Sequence, residues 1–186
     1  MGLIKIMKAA AFAVLVAGAP ATADVIKSGA TATGVPFNFL DPKTNTMSGF
    51  MLDIANEVAK RGGFEFDLQT VDFASLVPAL QSRRIDIITS SFSITEERSK
   101  VVDFAVPVYS FHQGLLVPAG NPKKLATYDD MKTARIGTNI GNSAIAEGRK
   151  IGVTFEQYSS IQDTLRDLSL DLSEACLDLG GLDEAG

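Results

Sequence analysis

Residues 90–109 read SSFSITEERSKVVDFAVPVY, and four hydroxyl side chains, Ser90, Ser91, Ser93 and Thr95, precede a single arginine, Arg98. An apolar core has little use for so many hydroxyls, whereas a site for a small ion does. The carbonyls of Ser90 and Ser91 can accept from an ammonium group, and Ser93 adds a hydroxyl. Arg98 offers a planar fork that fits a carboxylate through two parallel hydrogen bonds. A helix start at Thr95 would favour negative charge there as well. Carbonyls on one side and a guanidinium on the other suit a zwitterion, and an α-amino acid is one. The local sequence leaves a second use open, in which Arg98 pairs with Glu97, Asp103 or solvent on a helix surface; hydroxyl clusters are common in loops.

The elements that would position these residues follow a strand–helix alternation. Val25 to Lys27 reads as a short strand. Residues 50–61 read as an amphipathic helix with Phe50, Ile54 and Val58 four apart, stopped by Gly62 and Gly63. FEFDLQT alternates Phe64, Phe66 and Leu68 as a half-buried strand does. Leu76, Val77 and Leu80 mark a helix ending near Arg83, and IDIITS is the next strand. This order predicts an α/β fold, a parallel sheet with helices on its faces. In open sheets of this kind ligands sit beyond the carboxyl ends of strands, which is where residues 89–93 fall. Thr95 is a good N-cap for a short helix. A long extended segment, VPVYSFHQGLLVPAGNP, then leads to a second α/β pattern: ARIGT as strand, NSAIAEGRK as helix, VTFEQY as strand. Ser160 caps a last helix with Ile161, Leu165 and Leu168 on one face. The chain therefore divides into a first unit over residues 24–112, a hinge strand at 113–120, and a second unit over 121–186.

The 186 residues are 46% hydrophobic, enough for a real core, and the net charge of -5 argues against a nucleic-acid partner. The first 23 residues carry Lys5 and Lys8, an apolar stretch from Ala9 to Val16, and Ala21-Thr22-Ala23, the pattern of a secretory signal cut after Ala23. The apolar stretch is shorter than the ~20 residues a membrane span needs. Removing it takes away two lysines and no acid, so the exported chain is more negative still. Cys176 is the only cysteine, so no intrachain disulfide forms. Export with few cysteines fits a bacterial periplasm.

The long motif, together with GVPFNFLDP, MSGFMLDIANEVAKRGG, TVDFASLVPALQSRRIDIITS and GLLVPAGNP in that order, resembles family 3 solute-binding proteins, the periplasmic receptors of polar amino acid ABC transporters. The resemblance covers residues 24 to about 168. It implies a periplasmic-binding-protein-like, type II fold of two lobes joined by crossing strands and closing over one ligand. It implies a monomer that hands an amino acid to an inner-membrane permease, with no cofactor. By position, Arg98 and Ser93 would bind the ligand carboxylate, Ser90 and Ser91 would receive its ammonium, and Phe73 would wall the side-chain pocket. Gly141, Asn142 and Ser143 would open a helix in lobe two and cap the same carboxylate, as anions sit on helix starts. The same fold also resembles periplasmic dehydratases of the cyclohexadienyl type and the regulatory half of some lytic transglycosylases. A dehydratase would need an acid or base poised in the cleft.

The chain departs from that family in two places. The family usually places an aromatic residue where Gly34 stands; Phe37 or Phe39 are substitutes, though each reads as core. The tail from about Leu170, DLSEACLDLGGLDEAG, does not read as the rest of a second lobe. It leads to the expectation of a shortened member, or a non-functional remnant, whose tail lacks stable packing. Asp178 is a candidate acid for the ligand ammonium, but reads more readily as a solvated loop residue. Elsewhere, His112 has no metal-ligand spacing around it. Lys123, Lys124, Asp129 and Asp130 look like solvated helix charges, Asp53 and Glu57 lie on a polar helix face, and Met47, Met51 and Met131 read as packing. No G-x-S-x-G, P-loop or H-E-x-x-H motif occurs.

Overall fold

The computed structural model describes residues 23–32 and 34–179. The leader expected over residues 1–23 lies outside the described residues except for Ala23. The first part of the chain runs β1 (Val25–Ala30), β2 (Phe39–Leu40), β3 (Met47–Ser48), α1 (Phe50–Gly62) and β4 (Glu65–Thr70). A 3-10 turn (Phe73–Ser75) then leads into α2 (Leu76–Gln81), β5 (Ile87–Ile88) and α3 (Glu96–Ser99). Strands β4, β1 and β5 form a parallel sheet in that order, and β2 and β3 pair as a small antiparallel hairpin.

The central strand β1 is made of small residues at its buried end, Ser28, Gly29 and Ala30. This lets helix and strand approach closely: a Cβ at Gly29 would run into the Ile85 side chain. Over this strand end, Val71, Leu76, Ala79 and Ile85 form one apolar cluster, with Phe73, Leu80, Ile88 and Phe92 packed against it. Helix α1 stops where expected, at Gly63 in the left-handed conformation with its N–H on the Ala59 carbonyl. Its buried face differs from the expected one. Leu52, Ala55 and Ala59 are buried, whereas Val58 is 51% exposed. Small alanines let the helix axis come close to the sheet, and that outweighs the larger but wider-set stripe of Phe50, Ile54 and Val58.

The second part contains β6 (Gln113–Leu116), α4 (Tyr128–Met131), β7 (Ile136–Asn139), α5 (Ala144–Lys150), β8 (Phe155–Tyr158), α6 (Ile161–Ser169) and β9 (Ala175–Leu179). Its sheet has the order β6-β9-β7-β8; β6 is antiparallel to β9, and the other pairs are parallel. Residues 113–116, read from sequence as part of a hinge strand, thus serve as an edge strand of this sheet. Leu125, Met131, Ile136, Ala144, Val153, Ala175 and Leu177 make its core. Ser160 caps α6 by accepting from the Asp163 N–H. Thr164 and Leu168 are the buried residues of that helix, and Leu165, expected on the inner face, is 41% exposed.

The expectation of an unpacked tail fails at β9, and its last part, residues 180–186, lies outside the described residues. This strand lies between β6 and β7, and Ala175 and Cys176 are fully buried. Two neighbours supply its backbone hydrogen bonds, and the Thr138 hydroxyl adds one more to the Leu177 carbonyl at 2.8 Å. Asp178 correspondingly sits in this strand, in register with Gly114, and not in a loop.

Between the two sheets, residues 105–112 run without regular structure. They are tied to the first part by aromatic packing. The Phe37 ring meets Phe50 at 5.2 Å, Tyr109 at 5.6 Å and Phe111 at 5.7 Å between centroids. Phe37 is buried in this cluster, so it is core, as its sequence context suggests.

Candidate functional site

Arg98 lies in the single turn of α3, and the sequence explains why that turn forms. Thr95 is extended, and its hydroxyl accepts from the Arg98 backbone N–H at 3.2 Å. The Ser99 hydroxyl returns to the Thr95 carbonyl at 2.9 Å. With its backbone fixed, Arg98 reaches in two directions. Nη1 donates to the Ser93 carbonyl at 2.7 Å, and Nη2 donates to the Gly141 carbonyl at 2.8 Å. The second bond joins the two parts of the molecule. The guanidinium carbon also sits 3.8 Å from the centroid of the Phe92 ring and 5.6 Å from that of Phe73.

These surroundings remove water from a charged group without giving it an anion. Burial lowers the Arg98 pKa to about 10, with nearby Glu97 acting in the opposite direction. The side chain is still cationic at neutral pH. Its bonds go to carbonyls and not to Glu97 or Asp103, the pairing that the local sequence had left open. A guanidinium has five N–H donors, and the two carbonyls use one on each terminal nitrogen, so donors remain for an anion.

On the far side, Gly141 closes the turn before α5 with φ at 84°. A Cβ there would have room, 3.6 Å from the Phe73 ring, so backbone conformation and not space calls for glycine. Asn142 is buried, and its side chain accepts from the Ala144 N–H at 2.9 Å and donates to Asn139 at 3.3 Å. Thus Asn142, and not Ser143, caps the start of α5. Ser143 is helical and makes no side-chain cap bond; its hydroxyl accepts from the Gln113 amide at 3.4 Å.

The structure therefore places Ser93, Phe73 and Gly141 around Arg98. The hydroxyls before Arg98 are placed differently. Thr89, Ser90 and Ser91 are 6%, 4% and 5% exposed, and part of their polarity serves the fold. Thr89 shares a hydrogen bond with the Ser28 hydroxyl at 2.6 Å, and its carbonyl accepts from the Asn38 amide at 3.0 Å. The Ser90 hydroxyl takes the Thr31 N–H at 3.5 Å, and the Ser90 carbonyl takes the Phe92 N–H at 2.7 Å. One lone pair of that carbonyl is left for another donor. Sequence reading overlooked Phe92. The available signal was an aromatic residue in a run of serines, where an extended chain turns alternate side chains to opposite faces.

A cavity of about 380 Å³ lies within the second part, with Ser143 in its lining and Arg98 outside it. It is bounded by Gln113, Leu115, Met131, Ala144, Phe155 and Leu177 among others, and it is mainly apolar. Among the described residues, no group of three or more His, Cys, Asp and Glu side chains is placed to hold a metal ion. No helix among them is long and apolar enough to cross a membrane.

Known proteins share this arrangement of elements. A probable histidine-binding protein of Campylobacter jejuni is 35% identical over 116 residues, 62% of this chain and 44% of the relative. ABC transporter arginine-binding protein 1 of Escherichia coli is 32% identical over 166 residues, 88% of this chain and 66% of the relative. An ancestral arginine-binding protein bound to glutamine superposes with a TM-score of 0.78 at 29% identity, covering 85% of this chain and 70% of that one. The holo form of an arginine-binding protein from T. maritima gives 0.78 at 29% identity, over 83% and 69% of the two chains. The chain spans about half the length of the first curated relatives it matches, from 44% to 60%. Residues 26–171 match the model of the bacterial extracellular solute-binding proteins, family 3, and the chain belongs to that family.

Proposed function

We propose that the chain carries one wall and part of the other of a periplasmic receptor for an α-amino acid, the substrate-binding component of an ABC transporter. It would be exported through a signal cut after Ala23 and would deliver its ligand to an inner-membrane permease. The observation that carries this reading is the Arg98 guanidinium. It is partly desolvated and cationic, holds unused donors, and stands where the two parts of a family 3 chain meet. Arg98 would take the ligand carboxylate, with Ser93 beside it and Gly141, Asn142 and Ser143 on the opposite wall. The carbonyls of Ser90 and Ser91 would receive the ammonium, and Phe73 would flank the side chain. The sheet membership of residues 113–116 supports two lobes that meet at residues 105–112, with hinge motion in that irregular segment and not in a strand at 113–120. The relatives' names speak of binding, which favours a receptor over a dehydratase.

Calorimetric titration with L-arginine, L-histidine, L-lysine and L-glutamine tests this reading. Arg98→Ala should weaken the best of these ligands by ~2–5 kcal/mol, since one partner of a desolvated charge pair is removed. That is roughly a thirtyfold to several-thousandfold loss. Affinity within about twofold of the parent, well under 1 kcal/mol, would place the site elsewhere.

A further inference from the structure

Arg98 faces a physical difficulty. A long cationic side chain must stand in one orientation before any ligand arrives, yet an acidic partner would neutralise it and occupy the donors that a carboxylate needs. The face of an aromatic ring avoids both problems, because it attracts the cation through its quadrupole and takes up no N–H. Phe92 provides such a face at 3.8 Å.

The Phe92 ring is itself held on several sides. Phe104 stacks on it with centroids 6.3 Å apart and planes at 17°. Phe73 leans against it at 5.4 Å. Its backbone N–H is bound to Ser90 at 2.7 Å, and its side chain packs on the cluster of Val71, Leu76, Ala79 and Ile85. The floor beneath Arg98 is therefore part of the first core and not a surface contact.

We propose that Phe92 is a positioning residue for Arg98, with the π face of its ring, and not its bulk, holding the guanidinium plane at the junction between the two parts. This rests on the reading of Arg98 as the carboxylate-binding residue. Ser93 and Gly141 fix the edges of the fork, and Phe92 fixes its plane.

The test compares Phe92→Leu and Phe92→Met, which keep an apolar side chain without a ring, with Phe92→Tyr, which keeps the ring. The first readout is the Arg98 Nε–Hε resonance in the full chain. In the parent and Phe92→Tyr it should carry a ring-current shift, and in Phe92→Leu and Phe92→Met it should move to the position of a free arginine while the rest of the spectrum holds. The second readout is affinity for L-arginine, L-histidine, L-lysine and L-glutamine. The leucine and methionine variants should bind about three- to thirtyfold more weakly, with the tyrosine variant close to the parent. An unshifted Arg98 resonance in the parent overturns the proposal even if the leucine variant fails to fold, and so does a resonance that Phe92→Leu leaves in place. If Arg98→Ala retains binding, the site reading falls while the resonance still decides what Phe92 does. If Arg98→Ala loses binding and Phe92→Leu does not, the site reading stands and the positioning role is wrong.

Discussion

The Arg98 side chain and the Gly141 carbonyl, 43 residues apart in sequence, are joined by a hydrogen bond of 2.8 Å from Nη2. The bond depends on Gly141 presenting its carbonyl from a backbone with φ at 84°. Other L-residues pay about 1–2 kcal/mol for left-handed geometry. Gly141→Ala should lower stability by about that amount and weaken ligand affinity, and Gly141→Asn should be milder because asparagine tolerates positive φ. Urea denaturation of the three proteins measures this; an unchanged midpoint for the alanine variant would show that the turn relaxes without cost.

Arg98→Lys keeps the charge but not the fork. One ammonium cannot reproduce two divergent bonds to Ser93 and Gly141 together with a flat contact on Phe92. Losing one hydrogen bond to a charged group costs about 1.5–3 kcal/mol, so ligand affinity should fall at least about tenfold. Calorimetry at constant salt checks it, and lysine matching arginine would mean that charge alone is recognised.

Phe37→Ala should remove the centre of the aromatic cluster that ties residues 109 and 111 to the first part. A buried phenylalanine cut to alanine costs ~3–5 kcal/mol. The distinctive consequence is local: the Tyr109 and Phe111 ring resonances should move towards free-residue positions while the amides of β4 keep their protection. A uniform change across the chain would mean that the cluster is ordinary core and does not anchor the connecting segment.

Much of this organisation was legible in the sequence, for identifiable reasons. Helix limits were readable where one residue decides them, as at Thr95, Ser160 and the Gly62-Gly63 stop. Around Arg98 the local sequence was legible only in part: Ser93 lies beside it, whereas the Ser90 hydroxyl also serves the fold, as hydroxyls in loops commonly do. The buried face of α1 was not legible, because close helix–sheet approach favoured Ala55 and Ala59 over larger side chains. The resemblance set Gly141 opposite Arg98, but the direct bond between them was hidden, since any residue can offer a carbonyl. Strand β9 was missed because its place depends on pairing with β6 and β7, contacts distant in sequence that local periodicity does not report.

Acid should destabilise the second part through its helix caps. The Asp130 carboxyl is held below its ordinary value of 3.8 by the N–H of Ala126 and by the Thr127 hydroxyl and N–H. Asp163 is lowered from the same value by the hydroxyls of Ser160 and Ser159. Native values below unfolded ones mean stabilisation that is present above the unfolded pKa and lost as pH falls through the native value. The urea midpoint should therefore drop as pH falls below about 4, and the double variant Asp130→Asn, Asp163→Asn should drop less over the same range. Parallel curves for the two proteins would assign acid sensitivity to other groups.

The placement of β9 can be tested with one thiol. Cys176 is the only cysteine in the chain, and it is fully buried in a strand flanked on both sides. Thiol reagents attack the exposed thiolate, so reaction requires the sheet to open. If residues 175–179 form the inner strand described, a colorimetric disulfide reagent should leave the native protein unmodified over the time in which a free thiol reacts fully. One equivalent should react after unfolding in urea. Hydrogen exchange should agree, with amides of Ala175–Leu179 protected together with those of Ile136–Asn139, their neighbours across the sheet. Strand protection combined with a silent thiol would establish that residues 175–179 form an inner strand of the second sheet. Immediate modification of Cys176 in the native protein, with fast exchange across β9, would return the segment to the loose tail that its sequence suggested.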